Sequence, residues 1–302
     1  MEDDTNIFSG LEDLGFKDIN NIEIYKRFED KEDNKDKECE ENSKIKEEMF
    51  LYDKKVVCPV CENNFLANAV KTSGYRMKKR ESDFYIKYDI INPYFYDVWI
   101  CNVCGYASMK ADFHKLKKFE IESIQKNITP KWQGRKYPAI YDINIAIERY
   151  KLSLLNYSII GSKASKKAMN CLKISWLYRE LGDIKNEQIF REQALIGFKD
   201  AYLNEQLPIY NMDDFTIMYL IGELNRRSGN YNEALRYLGD VITSQSADRK
   251  IKDLAIDQRD LIKETLKNNE DNNIKDVVDN NIKDVVENKK KVGLFSRFFK
   301  WS

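Results

Sequence analysis

Hydrophobic and polar residues alternate between residues 50 and 118, a pattern typical of β-strands. Residues 96–100, Tyr-Asp-Val-Trp-Ile, are rich in β-branched and aromatic side chains and predict a half-buried strand. Residues 70–80 and 84–91 have a similar character, and Asn92-Pro93 is a typical turn. We therefore expect a small antiparallel sheet in this part of the chain.

From residue 143 onward the apolar positions recur about every 3.6 residues, which predicts amphipathic helices. Gly161, Gly182 and Gly229 are expected to end three of them. The six predicted helices have their apolar positions within residues 143–157, 168–178, 194–202, 214–228, 231–242 and 251–262. Because short turns separate them, we expect an array of helical hairpins, and the expected fold class is α+β.

The turns at Gly182 and Gly229 resemble those of the tetratricopeptide repeat. Around the second turn, Gly222, Tyr231 and Ala234 fall where that repeat places small and aromatic residues. The two turn glycines are 47 residues apart, whereas the repeat length is about 34 residues. We therefore expect an irregular, tetratricopeptide-like array with longer helices or an extended connection.

Two Cys-x-x-Cys pairs carry the clearest chemical signal in the sequence. They are Cys58-Pro59-Val60-Cys61 and, after 39 intervening residues, Cys101-Asn102-Val103-Cys104. Each pair forms one turn that directs two sulfurs to a common point, and the spacing is that of a four-thiolate zinc site. We predict one structural zinc ion per chain, held by Cys58, Cys61, Cys101 and Cys104 in a zinc ribbon.

The residue after each pair affects the geometry of its turn. Gly105 follows the second pair, at a position that commonly needs a positive φ. Glu62 follows the first pair, so that turn is expected to be slightly strained, or to shift its left-handed residue to Asn63.

A closed structural site is preferred to a catalytic one, because four thiolates saturate a tetrahedral zinc ion. Catalytic zinc needs an open position and a histidine or carboxylate ligand. The one histidine of the chain, His114, is interpreted as a helix-surface residue. A redox role for the cysteine pairs would need a thioredoxin-like βαβ context, which the sequence lacks.

Composition narrows the possible function classes. Fifty Lys and Arg residues balance fifty Asp and Glu residues, so no global field favours nucleic acid or an acidic partner. The sequence has no second histidine, no G-x-S-x-G elbow and no phosphate-binding glycine loop, so we do not expect an enzyme. It contains neither a signal peptide nor a run of about 18 apolar residues, and a cytoplasmic location is expected.

The cysteine pairs belong to a longer signature. Its parts are Asn92-Pro93-Tyr94, Tyr96-Asp97-Val98 and Cys101-Asn102-Val103-Cys104-Gly105-Tyr106-Ala107, with the Cys58-Pro59-Val60-Cys61 turn upstream. This combination resembles the DUF2225 family of uncharacterised bacterial proteins over about residues 50–265. The resemblance implies a zinc-ribbon-like start, a tetratricopeptide-like helical region and the four cysteines as shared metal-type positions. It implies no established activity.

Three functional hypotheses remain open. The preferred one is a non-enzymatic, zinc-stabilised adaptor or scaffold whose helical hairpins bind a protein or peptide partner. In the tetratricopeptide register the groove residues are Tyr219, Glu223, Arg226 and Arg227. The two arginines either hold an acidic peptide by bidentate pairing or form ion pairs with neighbouring helices.

The first alternative is the binding of single-stranded nucleic acid. A basic stretch beside an aromatic residue lies inside the ribbon, a combination suited to phosphate contact and base stacking. It consists of Tyr75, Arg76, Lys78, Lys79 and Arg80. The acidic residues Glu81, Asp83, Asp89 and Asp97 dilute this charge, which favours the simpler interpretation of a solvated hairpin face.

The second alternative is reversible contact with a membrane surface through the C-terminal peptide, residues 289–302. Its lysines would face anionic headgroups and its aromatic residues the acyl boundary. The apolar residues concerned are Leu294, Phe295, Phe298, Phe299 and Trp301. The same peptide is equally suited to docking in another protein or in the helical groove of its own chain.

These patterns divide the chain into six segments. They are an acidic, mostly disordered segment (1–49), the zinc-ribbon-like module (50–118), a connector (119–142), the helical domain (143–267), a low-complexity linker built from two similar octapeptides (268–288) and the basic aromatic peptide (289–302).

Overall fold

The computed structural model describes Gly15 and residues 47–268, which form an α+β fold as predicted. Three antiparallel β-hairpins come first, and helices follow. The strands are β1 (Leu51–Val57) with β2 (Asn64–Val70), β3 (Met77–Arg80) with β4 (Ile86–Tyr88), and β5 (Val98–Ile100) with β6 (Ala107–Met109). The predictions for the N-terminal acidic segment, the octapeptide linker and the C-terminal peptide lie outside the described residues.

The antiparallel pairing agrees with the prediction, but the strands form three separate two-stranded ladders and not one sheet. The stretch 70–80, predicted as one strand, is interrupted by a 3-10 turn at Thr72–Gly74. A second 3-10 turn, Pro93–Tyr96, shortens the predicted strand 96–100 to β5. Asn92 stabilises that turn by capping it with its side chain, so local hydrogen bonding overrides the strand pattern.

Helix α1 (Lys118–Asn127) lies in the segment that was predicted to be a connector. Ile121, Ile124 and Ile128 have the spacing of the core face of a helix, and Ile124 and Ile128 are completely buried. The connector is therefore an ordered part of the fold, packed against the residues before and after it.

The helices predicted after residue 143 are confirmed, but the third begins ten residues before its first predicted apolar position. They are α2 (Ile143–Ile159), α3 (Ala164–Leu181), α4 (Ile184–Asn204), α5 (Asp214–Arg227), α6 (Tyr231–Thr243) and α7 (249–268). Gly182 and Gly229 follow α3 and α5 in the left-handed conformation, with φ of 74° and 77°. Among residues 47–268, no helix combines the length and the hydrophobicity needed to span a bilayer.

Helices α3 and α4 pack against each other, as do α5 and α6. In the second hairpin Gly222 allows close packing, because a Cβ there would lie 3.0 Å from the Leu238 side chain. The long spacing between the turn glycines has two causes. Helix α4 has 21 residues against 13 in α6, and an extended connection, residues 205–213, follows it.

One hydrophobic core extends from the hairpins into the helices. Tyr157 of α2 is buried in it, with its hydroxyl 2.9 Å from Ser108 Oγ and accepting a hydrogen bond from the Met109 amide at 3.1 Å. Arg149 of the same helix donates to the Val98 carbonyl at 2.5 Å. The segments 50–118 and 143–267 therefore share a core in the structure.

Candidate metal centre

The first cysteine pair lies at the tip of the β1–β2 hairpin. The Cys58 amide donates to the Asn63 carbonyl and the Glu62 amide to the Cys58 carbonyl, both over 2.9 Å. These bonds close a tight turn that contains a left-handed residue, and Glu62 adopts that conformation with φ of 59°. Glu62 therefore carries the expected backbone strain, and Asn63 does not take over its conformation.

The second pair repeats this geometry at the tip of the β5–β6 hairpin. The Cys101 amide donates to the Tyr106 carbonyl and the Gly105 amide to the Cys101 carbonyl, both over 2.8 Å. Gly105 is the left-handed residue, with φ of 75°, as the sequence predicts. The two turns therefore correspond residue for residue, including their hydrogen bonds.

Together the two turns place four sulfur atoms in one cluster. Every Sγ lies within 4.8 Å of the others, and the closest contacts are Cys58 to Cys104 at 3.6 Å and Cys61 to Cys101 at 3.5 Å. Sulfurs around a tetrahedral ion with metal–sulfur bonds of about 2.3 Å lie about 3.8 Å apart. The spacing fits such an ion, so the four cysteines can hold a metal.

Hydrogen bonds within the cluster determine which sulfurs are charged. Bonds to Cys104 and Cys58 lower the pKa of Cys101 to about 2. The bond to Cys101 raises the pKa of Cys58 to about 12 and also raises the pKa of Cys104. The cluster therefore favours a thiolate at Cys101, and deprotonation of Cys58 and Cys104 as well requires a positive charge at its centre.

The segment 119–142, predicted as a connector, lies against one side of the cluster and donates hydrogen bonds to both cysteine turns. The hydrogen bonds are Gln125 Nε2 to the Val60 carbonyl at 3.0 Å, Thr129 Oγ1 to the Cys104 carbonyl at 3.0 Å, and Trp132 Nε1 to the Asn102 carbonyl at 2.9 Å. The Trp132 ring also packs on Gly105, where a Cβ would lie 2.7 Å from it. The roles of these three side chains were not predicted from the sequence. The isoleucine spacing could have predicted α1, which contains Gln125 and precedes Thr129 and Trp132.

The described residues offer no additional ligand group beside the four sulfurs. His114 is exposed in the turn after β6, and the expected helix around it is wrong because α1 begins only at Lys118. Cys171 is buried in α3, where burial raises the pKa of its thiol, so it is a packing residue.

Three of the four residues predicted to line a partner groove, Tyr219, Glu223 and Arg227, contact the loop after β3, and the fourth, Arg226, pairs with Glu223. Tyr219 and Glu223 are completely buried, and the Tyr219 hydroxyl donates to the Ser82 carbonyl at 2.8 Å. Arg226 and Arg227 each donate to Glu223 over 2.7 Å. This face of α5 is therefore covered by the chain itself, and both arginines are engaged within it.

That loop, residues 81–85, is called the acidic loop below. Asp83 is completely buried, and its Oδ2 accepts hydrogen bonds from Arg179 Nη2 at 2.6 Å and Trp176 Nε1 at 3.0 Å. Glu81 accepts from Arg179 Nη1 at 2.6 Å. Burial by itself would raise the pKa of Asp83, but its bonds to Arg179 outweigh burial and lower it. The acidic loop is thus held in the helices as a charged segment.

All five residues of the predicted nucleic-acid site are exposed. Tyr75 is 40 % exposed, and its ring centroid lies 6.2 Å from that of Tyr88 on β4. Arg80 stacks on the Phe84 ring, with 4.7 Å between its Cζ and the ring centroid. The five apolar residues predicted for membrane or partner contact, within 294–301, lie outside the described residues.

Comparisons with known proteins agree with the residue signature. A family described as "Uncharacterized protein conserved in bacteria (DUF2225)" matches residues 51–262. An uncharacterised protein of Borreliella burgdorferi is 22 % identical over 247 residues, which cover 74 % of this chain and 87 % of that protein. No solved structure matches the chain. Because the family match covers more than two thirds of the sequence, including both cysteine turns, the chain belongs to the DUF2225 family.

Proposed function

We propose that this protein is a non-enzymatic, zinc-stabilised adaptor that binds a protein or peptide partner through its helices. The proposal that the protein binds zinc rests on the closed four-sulfur cluster. Thiolates favour zinc over the hard divalent ions, and the sulfur spacing fits tetrahedral coordination. Four sulfur ligands leave no position for water or substrate, so the ion has a structural role.

When bound, zinc supplies the positive charge and the cross-link that hold the four thiolates together. Two of its ligands come from the β1–β2 hairpin and two from the β5–β6 hairpin. Gln125 of α1 and Thr129 donate hydrogen bonds to the first and second turn, which fixes the position of the cluster relative to the helices. The ribbon then serves as a rigid support for the helical hairpins.

The outward face of α4 is the surface that we assign to the partner. Ile196 and Leu203, seven residues apart on one side of the helix, are 38 % and 76 % exposed. Phe190 and Phe198 are buried on the opposite side of α4 and anchor the helix in the core. Exposed apolar residues on a rigid helix suit contact with another protein. The arginine-bearing face of α5, by contrast, is already covered by the acidic loop.

Affinity capture from the cells that produce the protein tests the proposal. The experiment compares the wild-type chain with the double variant Ile196→Ser/Leu203→Ser, and with Leu261→Ser, an exposed apolar residue of α7, as the matched control. We expect a protein that is recovered with the wild type and the control, resists nuclease treatment, and is lost with the double variant. Recovery of the same proteins with all three chains would exclude the α4 face. Recovery of no stoichiometric protein would contradict the adaptor.

A further inference from the structure

The β3–β4 hairpin carries a concentrated positive charge on its exposed surface. This surface is called the basic hairpin below, and it is unrelated to the α4 face that carries the proposed function. Its exposed cations are Arg76, Lys78, Lys79, Arg80 and Lys87. Because the two strands are short and extended, these charges are spread along a line and not gathered in a pocket.

Of the four acidic residues that dilute this charge in the sequence, only Asp89 stays exposed on the surface. Glu81 and Asp83 both turn inward and bind Arg179 of α3, each over 2.6 Å. Asp97 is buried and forms an ion pair with Lys173. Three of the four acidic residues are therefore neutralised by the helices. Folding converts a nearly neutral stretch of sequence into a basic surface.

Several cations of the basic hairpin remain without a counter-charge. Arg76, Lys78 and Lys79 form no ion pair with any residue in the described part of the chain. Lys79 also lies directly opposite Lys87 in the β3–β4 ladder, and only Lys87 has an acidic partner, Glu81 at 3.3 Å. Like charges in a cross-strand pair destabilise a hairpin. An anionic ligand would remove this repulsion.

Exposed apolar and aromatic groups lie on the other face of the same hairpin. Met77 is 63 % exposed and pairs with Tyr88 across the ladder, next to the exposed Tyr75 ring. Because successive strand residues point to opposite faces, a single strand of nucleic acid that passes over the edge of the hairpin contacts the lysines on one face and the ring on the other. A membrane-surface segment would instead present a face of Trp, Phe or Leu.

We propose that the basic hairpin binds single-stranded nucleic acid, with phosphates on Arg76, Lys78 and Lys79 and a base stacked on Tyr75. The assay is fluorescence anisotropy of a labelled single-stranded oligonucleotide of about 15 nucleotides, titrated with the full zinc-loaded chain. Three phosphate contacts predict that raising the salt from 50 to 200 mM weakens binding about 20-fold.

The double variant Lys78→Gln/Lys79→Gln removes two of these contacts. We expect its affinity at 0.1 M salt to fall about 25-fold and its salt dependence to fall to about one third of the wild-type slope. The matched control Lys263→Gln/Lys267→Gln changes the net charge equally on the exposed side of α7 and should alter the affinity less than about twofold. Tyr75→Ala should lower the affinity at least about fivefold without changing the salt slope, whereas Tyr75→Phe keeps the ring and the affinity.

Several results would overturn the proposal. One is the absence of binding at 50 mM salt, and another is equal affinity for the wild type and the lysine variant. Equal losses in the variant and its control would show that only net charge matters. If deletion of residues 289–302 abolishes oligonucleotide binding and the lysine variant retains it, the binding site is the C-terminal peptide. Lysine-dependent sedimentation with phosphatidylserine vesicles, without oligonucleotide binding, would assign the hairpin to lipid. None of these results affects the α4 face.

Discussion

Replacing Asp83 with alanine is expected to destabilise the protein by about 3 kcal/mol, because the substitution leaves a buried cation short of a counter-charge. Asp83 is fully buried in the acidic loop, where it accepts hydrogen bonds from Arg179 and Trp176. Removing one partner of a buried ion pair costs about 3–5 kcal/mol. The lower figure applies here, since Arg179 keeps its bonds to Glu81 and Glu187.

Thermal unfolding followed by circular dichroism measures this effect. For a folded unit of this size, about 3 kcal/mol corresponds to a midpoint lowered by about 6–12 °C. The control is Asp89→Ala, an exposed acidic residue on the same hairpin, which should change the stability by less than about 0.5 kcal/mol.

The pH dependence has a definite sign. In the folded chain Arg179 holds the pKa of Asp83 below its ordinary value of 3.8. The contribution of the Asp83 carboxylate to stability is therefore complete above a pH equal to the ordinary pKa. It is lost as the pH falls through the lower pKa of the folded state. The difference in the free energy of unfolding between the wild type and Asp83→Ala should be constant from pH 7 to about pH 5. It should shrink below about pH 4.

Equal midpoints for Asp83→Ala and Asp89→Ala would refute this reasoning. They would show that the desolvation of Asp83 cancels its attraction to Arg179, so that the acidic loop is held by its other contacts. The Phe84 and Tyr85 rings, which pack on Tyr219 and Trp176, would then be the groups to replace.

Three further predictions concern the metal centre. Cys101→Ser should reduce the bound zinc from about one ion per chain to almost none and lower the unfolding midpoint; retained stoichiometric zinc in elemental analysis would contradict the ligand set. Gly105→Ala should lower the free energy of unfolding in chemical denaturation by about 2–5 kcal/mol, because the new Cβ combines a positive φ with overlap on Trp132. The control Gly182→Ala has nearly the same φ but open space around it, so it should cost about 1–2 kcal/mol. Glu62→Gly should stabilise the first turn by about 0.5–1 kcal/mol in the same assay, and a loss of stability would show that the Glu62 side chain has a favourable role.

Local signals in the sequence were sufficient for the helices after residue 143 and for the cysteine cluster. The 3.6-residue period and the glycines at 182 and 229 determine where helices end, since both act within a few residues. The cysteine spacing places two sulfurs on each turn, and two such turns supply the four ligands of a tetrahedral site. Gly105 was correctly assigned a left-handed conformation for the same local reason.

Contacts between distant segments could not be predicted in this way. Asp83 and Arg179 are 96 residues apart, and neither residue has a neighbour that indicates the pairing. For that reason the sequence leaves open whether the arginines of α5 bind a partner or pair within the chain, and it does not show which acidic residues turn inward. The strands were predicted too long where Asn92 forms a local cap, because propensity alone does not show that competing hydrogen bond.

The division of the metal site between two hairpins has a consequence for synthesis on the ribosome. Cys101 follows Cys58 by 43 residues, so at about 5–20 residues per second the first thiol pair is made about 2–9 seconds before the second. An ion bound during this interval would have only two protein ligands. Trp132 is made later still, so a bound ion would be enclosed only after all four cysteines have been translated.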